Sequence, residues 1–314
     1  MSAGEVATGI PASGITPRRA YLQLLVTVSV WGGTFTVAKQ AVADVDPLAL
    51  GAGRYVVGLM VLLIFVRAQG GLTRPGRREL VLCGVMALAG IVGFNLLTFA
   101  GLELALAGDA ALIMPTMPAA VTIPLAVVFF GEHFGRWQVV GLLLLIAGEV
   151  LVFREAVFGQ ELDGERLAGV GLFFGAAALW GVYTIAARAL SGRLDGVVAT
   201  TWAVILGLPL LLLVGGVQLG EAVARGPNGG FLLALAYMGG LQVVVGLVWW
   251  FQGVEGVGAA RAALLNSLVP VVALVVAGVV LGEAVSLERA AGAALVVAGV
   301  ATAASLGSAS RKRG

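Results

Sequence analysis

Charge is what this chain has least of. Only 11% of its 314 residues are Asp, Glu, Lys or Arg, against about 25% in soluble domains. With 60% apolar residues and a mean hydropathy of +1.03, a water-exposed globule is excluded, and lipid must solvate much of the surface. Cysteine is almost absent as well. The one thiol, Cys83, excludes an internal disulfide and a cysteine-based metal cluster, and reads as a small packing residue. The single histidine, His133, sits beside Glu132 in a short polar loop. No Gly-x-Ser-x-Gly, His-Glu-x-x-His or Walker loop occurs, so no hydrolase, zinc-protease or nucleotide-binding motif is present. A net charge of +2 gives no reason to expect a nucleic-acid partner. No cofactor or metal is expected, and no activated nucleophile that would make an intramembrane enzyme.

What the chain has instead is long apolar runs. A membrane span needs about 20 mostly apolar residues. Such runs fall at 20–39, 47–66, 80–100, 109–130, 137–153, 167–187, 196–217, 231–252, 261–281 and 290–307. The expected fold is therefore an all-α polytopic membrane protein of ten transmembrane helices; the alternative is nine, with one run merely buried. The longest polar connection, 154–166, leaves no room for a soluble domain. The run from residue 20 to 38 is too long for a signal-peptide core and reads as a retained first helix after a polar tail, 1–19. With the N-terminus inside, the inner segments hold thirteen basic residues and the outer ones five. Basic residues favour the cytoplasmic side, so both termini, including the basic tail 308–314, are expected in the cytoplasm. Nine spans would put Arg311, Lys312 and Arg313 outside.

The runs repeat. Gly101, Glu103, Asp109, Leu112 and Pro118 match Gly253, Glu255, Arg261, Leu264 and Pro270 at an offset of 152. Trp31-Gly32 and Trp180-Gly181 match at 149, as do Lys39 with Arg188 and Asp46 with Asp195; Gly131-Glu132 matches Gly282-Glu283 at 151. A fixed-offset repeat decides the architecture. Residues 20–153 and 167–307 are two five-helix copies joined by 154–166. Five is odd, so the second copy enters the membrane from the opposite face. Inverted repeats of this kind build transporters that hold substrate near the midplane; retention of two copies for packing alone is the plainer alternative.

Ionisable groups inside spans are costly, which singles out a few. Arg54 stands seven residues beyond Pro47. It suits either an anion or carboxylate contact or a gate, or a structural pair with Asp44, Asp46 or a helix-end carbonyl. Glu149 lies four residues from the end of its run and could reach outward to the interface. Lys39 and Arg188 close the first helices of the two copies, as gates or as interfacial anchors. Asp109 stands at a helix start, where capping is the plain role; with Glu149 it is a candidate for proton coupling. Pro115, Pro118 and Pro124 are expected to break span four and Pro270 span nine, freeing backbone groups that need protein or water. Trp31, Thr34 and Phe35, Asn95 and Phe99, and Trp180 and Tyr183 complete a candidate cavity with Gln242, Trp249 and Asn266. Gln242, Gly246 and Trp249 share a face at helical spacing, while Trp250 is assigned to the interfacial aromatic belt.

In these features the chain resembles the EamA-type transporters of the drug/metabolite transporter superfamily. The resemblance rests on Trp31-Gly32 with Thr34-Phe35 and Lys39, Pro47-Leu48 with Arg54, Asp109-Ala110-Ala111-Leu112 leading to Pro118, and Gly131-Glu132. The second copy supplies Trp180-Gly181, Ala262-Ala263-Leu264-Leu265, Pro270, Leu281-Gly282-Glu283 and Gly292 with Gly299. It implies a ten-helix inverted repeat in the bacterial inner membrane, with a cavity lined by helices one, three, four, six, eight and nine and supported by five and ten. It also implies export of amino acids, other small metabolites or drugs, as a monomer or a homo-oligomer, with a small-molecule substrate and the lipid bilayer as partners. A cationic-compound efflux carrier is the alternative substrate class; a channel or scaffold would show no saturable flux. Two positions depart from a symmetric pattern: Ala203 stands where Arg54 would recur, and Arg261 where Asp109 would.

Overall fold

The computed structural model describes residues 15–41, 46–158, 163–282 and 285–310. The residues 1–14, Asp44, Glu283 and the C-terminal residues 311–314 lie outside the described residues, as do the side chains of Phe35 and Lys39. Helices follow one another as α1 (Pro17–Ala41), α2 (Pro47–Ala68), α3 (Arg77–Leu104), α4 (Ala107–Phe130) and α5 (Arg136–Phe158). Then come α6 (Gly164–Leu190), α7 (Gly196–Ala224), α8 (Gly229–Val257), α9a (Ala259–Asn266), α9b (Val269–Leu281) and α10 (Leu287–Ser310). There is no strand among the described residues. Eight stretches, those of α2 to α9, are long and apolar enough to cross a membrane. α1 and α10, with 25 and 24 residues, stand outside that group.

The same punctuation sets the helix ends in both halves. Asp46 and Asp195, equivalent in the repeat, cap α2 and α7 by accepting from backbone N–H groups two residues on, at 2.7 and 2.8 Å. Gly131 and Gly282 end α4 and α9b with φ of 62° and 67°. That left-handed backbone costs glycine nothing, which explains the glycine in each Gly-Glu stop.

Packing repeats as well. A methyl group on Gly141 of α5 would stand 2.5 Å from the carbonyl oxygen of Gly299 on α10, and one on Gly148 would stand 2.6 Å from that of Gly292. The two helices therefore run antiparallel with their backbones in contact, the small-residue packing that lipid favours. Gly141 is equivalent to Gly292 and Gly148 to Gly299, so the two contacts are copies of each other with the partners exchanged. The Trp-Gly pairs behave alike: Gly32 lies against Val272 of α9b, and Gly181 against its equivalent, Val121 of α4. Gly58 of α2 meets Val243 of α8, and its counterpart Gly207 of α7 meets Ile91 of α3. The architecture is thus two interleaved repeats around one core, whose fully buried centre includes Trp250, Tyr183, Phe251 and Met86.

Two features of the third and fourth helices differ from the plain helical expectation. α3 and α8 each contain a π-helical segment, 87–93 and 236–246, at equivalent places in the repeats. And α4 is not broken: it runs unbroken from Ala107 to Phe130 with Pro115, Pro118 and Pro124 inside. The expected break occurs only in α9, at Ser267-Leu268, where Ser267 and Leu268 donate back to Leu264 and Leu265 in a tightened turn. Pro270 then lies in the first turn of α9b, where its missing N–H is of no consequence.

Candidate functional site

A cavity of about 660 Å³ lies between the two repeats, within the 300–1,000 Å³ range of small-molecule sites. α1 supplies Trp31 and Thr34, α2 Arg54 and Tyr55, and α3 Phe94, Asn95, Thr98 and Phe99. α4 contributes Met114 and Pro115, α6 Trp180, α8 Gln242, and the break in α9 places Asn266 and Pro270 on the wall. The cavity extends to residues near the helix ends, Leu102, Phe153 and Arg289. Leu102, 42% exposed, marks its mouth.

Arg54 is the polar centre. It reaches the cavity because α2 and α8 approach closely: a methyl on Gly239 would stand 2.9 Å from the Arg54 carbonyl oxygen. Its Nη1 donates to Gln242 Oε1 at 3.1 Å and its Nη2 to Asn95 Oδ1. Asn95, 2% exposed, is held in turn by its amide, which donates to the Ile91 carbonyl at 2.6 Å and to the Tyr55 hydroxyl at 3.4 Å. Neither Asp46 nor any other carboxylate pairs with Arg54 among the described residues; Asp46 is spent on the α2 cap. The ion-pair reading of Arg54 is thus replaced by a pair of neutral amides. Thr34 and Thr98 donate to carbonyls four residues back, Val30 and Phe94, and Asn266 donates to the Pro115 carbonyl at 3.0 Å.

Opposite the mouth, aromatic rings close the cavity. Trp31 meets Trp180 edge-on with centroids 5.1 Å apart, and both lean on Trp250 at 5.2 and 5.9 Å. A methyl on Gly246 would clash with the Trp31 indole nitrogen at 2.5 Å, so glycine there makes room for the ring. The indole of Trp31 donates to the Gln242 carbonyl at 3.5 Å. Tyr183 stacks beneath Trp180 at 4.8 Å and is wholly buried; it supports the floor and does not line the cavity.

The structure exchanges the two neighbouring tryptophans. Trp250, expected in the interfacial belt, is 0% exposed and belongs to the ring cluster, whereas Trp249 is off the cavity wall. The π segment is the reason. Its wider turns advance the helix by fewer degrees per residue, so counting by the ordinary period from Gln242 reaches the wrong tryptophan.

Beyond the aromatic floor, Glu132 ties three helix ends together. Its carboxylate accepts from the α9a N–H groups of Ala259 and Ala260, both at 3.0 Å, and pairs with Arg188 of α6 at 3.1 Å. Arg188 is thus remote from the cavity. On the mouth side, Asp109 is more than a cap: it accepts from the Leu106 N–H and forms a two-armed ion pair with Arg166 of α6 at 2.8 and 2.9 Å, both residues buried. Arg166 looks like an outer-loop residue in the sequence, and nothing local signals that it turns inward. Glu149 does not reach outward. α5 continues to Phe158, five residues beyond the apolar run, which leaves Glu149 0% exposed and off the cavity wall. Phe94, Tyr55 and Arg289 line the cavity unforeseen; the first two are the immediate neighbours of Asn95 and Arg54, which was the available clue.

Comparison with known proteins agrees with this geometry. Two consecutive stretches, 18–154 and 167–305, match the EamA-like transporter family. The chain is 28% identical to the uncharacterized transporter YyaM of Bacillus subtilis, over 90% of this chain and 92% of that protein. It is 30% identical to a protein of Streptantibioticus cattleyicolor named "Probable terminal-alkyne amino-acid exporter", again over 90% and 92%. A solved crystal structure 23% identical to the chain shares its fold with a TM-score of 0.73, covering 91% of this chain and 98% of that one. The chain belongs to the EamA-like transporter family.

Proposed function

We propose that this transporter carries a small metabolite outward by alternating access, with an amino acid or amino-acid derivative as the leading substrate. The observation that carries the reading is the asymmetry of the cavity. It is bounded by both repeats and reaches the helix ends on one side, while on the other the tryptophan cluster and the Glu132 contacts close it. A carrier holds one end shut at a time around a site between its repeats; a channel needs a continuous path. The relative from Streptantibioticus cattleyicolor named "Probable terminal-alkyne amino-acid exporter" supports the substrate class.

The proposal includes ten spans in two inverted halves, 20–153 and 167–307, in the bacterial inner membrane with both termini in the cytoplasm. Its supports are the basic-residue count and the exchanged glycine contacts of α5 and α10. An antiparallel pair with interchangeable partners is what a two-fold axis in the membrane plane produces. In this orientation the mouth faces outward. Purified protein in proteoliposomes should show saturable efflux of a compound that overproducing cells excrete. Substitution of Asn95, Asn266 or Trp31 should depress that flux, and unchanged flux in all three would remove the cavity from the mechanism. Topology is checked with single cysteines at Ser2 and Gly314 in a Cys83→Ala background: both should react with an impermeant maleimide only after the cells are opened.

A further inference from the structure

We infer that the cavity selects organic monoanions with an apolar body, and that a free ammonium group on the substrate counts against binding. Among amino-acid derivatives this favours those whose amine is masked as an amide. The inference rests on the transport reading for the cavity's role, but its grounds are the charges around the cavity.

Arg54 is a full positive charge held by two neutral acceptors. Gln242 and Asn95 orient its terminal nitrogens without neutralising them, and its Nε is buried with no hydrogen-bond partner. A half-buried guanidinium, partly shielded from water, keeps a demand for a counter-charge. Of the acids near this region, Asp109 is committed to Arg166 and Glu132 to Arg188 and the start of α9a, while Glu149 is buried off the wall with neither oxygen hydrogen-bonded. No carboxylate lines the cavity among the described residues, and its other charged residue is again cationic, Arg289 near the mouth. Each terminal nitrogen of Arg54 carries a second hydrogen, so a ligand carboxylate finds both the missing charge and charge-assisted donors.

An ammonium group meets the opposite conditions. It passes Arg289 and arrives near Arg54 with no anion to receive it. The oxygens on the wall, those of Asn95, Gln242, Thr34 and Thr98, belong to neutral groups, and those of Asn95 and Gln242 already face the Arg54 guanidinium, so they offer an ammonium a hydrogen bond but no opposite charge. The loss of the Pro118 N–H deprives the Met114 carbonyl, on a cavity-lining residue, of its helical donor. A carbonyl carries a partial charge only, which suits a neutral amide N–H. The rest of the wall, with Phe94, Trp180, Leu247 and Leu274, asks for a hydrocarbon or aromatic body.

Three ligands sharing one phenyl ring test this: N-acetylphenylalanine, an anion; phenylalanine, a zwitterion; and phenylalaninamide, a cation. Binding to the purified full chain is read by quenching of its tryptophans, and the same ligands are used for counterflow in proteoliposomes. Affinity should fall in that order, by at least about tenfold between the first and the last. Arg54→Gln should abolish the preference, and Arg54→Lys should keep its direction. The wild-type ranking decides the matter even where Arg54→Gln fails to fold. Phenylalanine or its amide binding as tightly as the acetylated acid overturns the inference, and so does failure of all three to bind. A charge-ranked binding series without counterflow retains the anion selectivity and defeats the transport reading. Counterflow that prefers phenylalanine or the amide does the reverse.

Discussion

α4 and α9 descend from one repeated unit, yet the helix with three prolines is continuous and the helix with one is broken. Their starts differ in the same inverted way. α4 begins with its own carboxylate, Asp109, buried against Arg166; α9a has Arg261 at that position and takes its N-terminal anion from Glu132, at the far end of α4. The contrast teaches that proline marks where a helix is weak, and that the contacts around it decide whether it parts. In α4 the Pro115 carbonyl is braced by Asn266, which lies at the end of α9a beside the break. The two copies thus divide the work: one is the rigid wall and the other supplies the discontinuity.

The comparison can be broken most severely at Asp109. Asp109→Leu takes both arms of the carboxylate away from the buried Arg166 guanidinium, a change that costs about 3–5 kcal/mol in buried pairs. Thermal unfolding in detergent should show it, and Asp109→Leu combined with Arg166→Met should recover most of the loss. If the single variant is as stable as the parent, the start of α4 is not anchored by this pair. Glu132→Gln comes next. It removes the charge that faces Arg188 and the α9a N-terminus, at about 1–3 kcal/mol, and should raise maleimide labelling of a cysteine placed at Ala260 in a Cys83→Ala background. Unchanged labelling would mean that these contacts do not hold the closed end.

Asn266→Leu should cost about 1 kcal/mol through loss of the bond to the Pro115 carbonyl, and should lower flux more than stability. Equal flux would show that the brace between α4 and α9 is incidental. The smallest effect is expected for Pro118→Ala, which returns a backbone donor to the Met114 carbonyl. Stability should change by less than about 1 kcal/mol while flux falls; unaltered flux would show that this carbonyl has no part in transport.

Much of this molecule is written in local order along the chain. Apolar runs located the helices with ends within seven residues, because lipid leaves an isolated span no other backbone solution. Trp31-Gly32 and Trp180-Gly181 could be recognised because each pair joins a cavity ring to a glycine against which a neighbouring helix packs. Arg54, Asn95, Gln242 and Asn266 stood out because polar groups inside spans need partners. The choice between Trp249 and Trp250 was beyond such reading, since the π segment of α8 changes the angular count between Gln242 and the ring. The partner of Asp109 was equally hidden: Arg166 lies 57 residues away in a stretch that reads as loop.

The sequence by itself determined the solvent, the helices, the doubling and the residue types available to a cavity, since each follows from hydrophobicity, length and a constant offset. Only the tertiary structure decided which charges are neutralised and which are left facing the cavity. That outcome depends on distances between groups far apart in the chain: Asp109 and Glu132 found arginines on α6, and Arg54 found only amides.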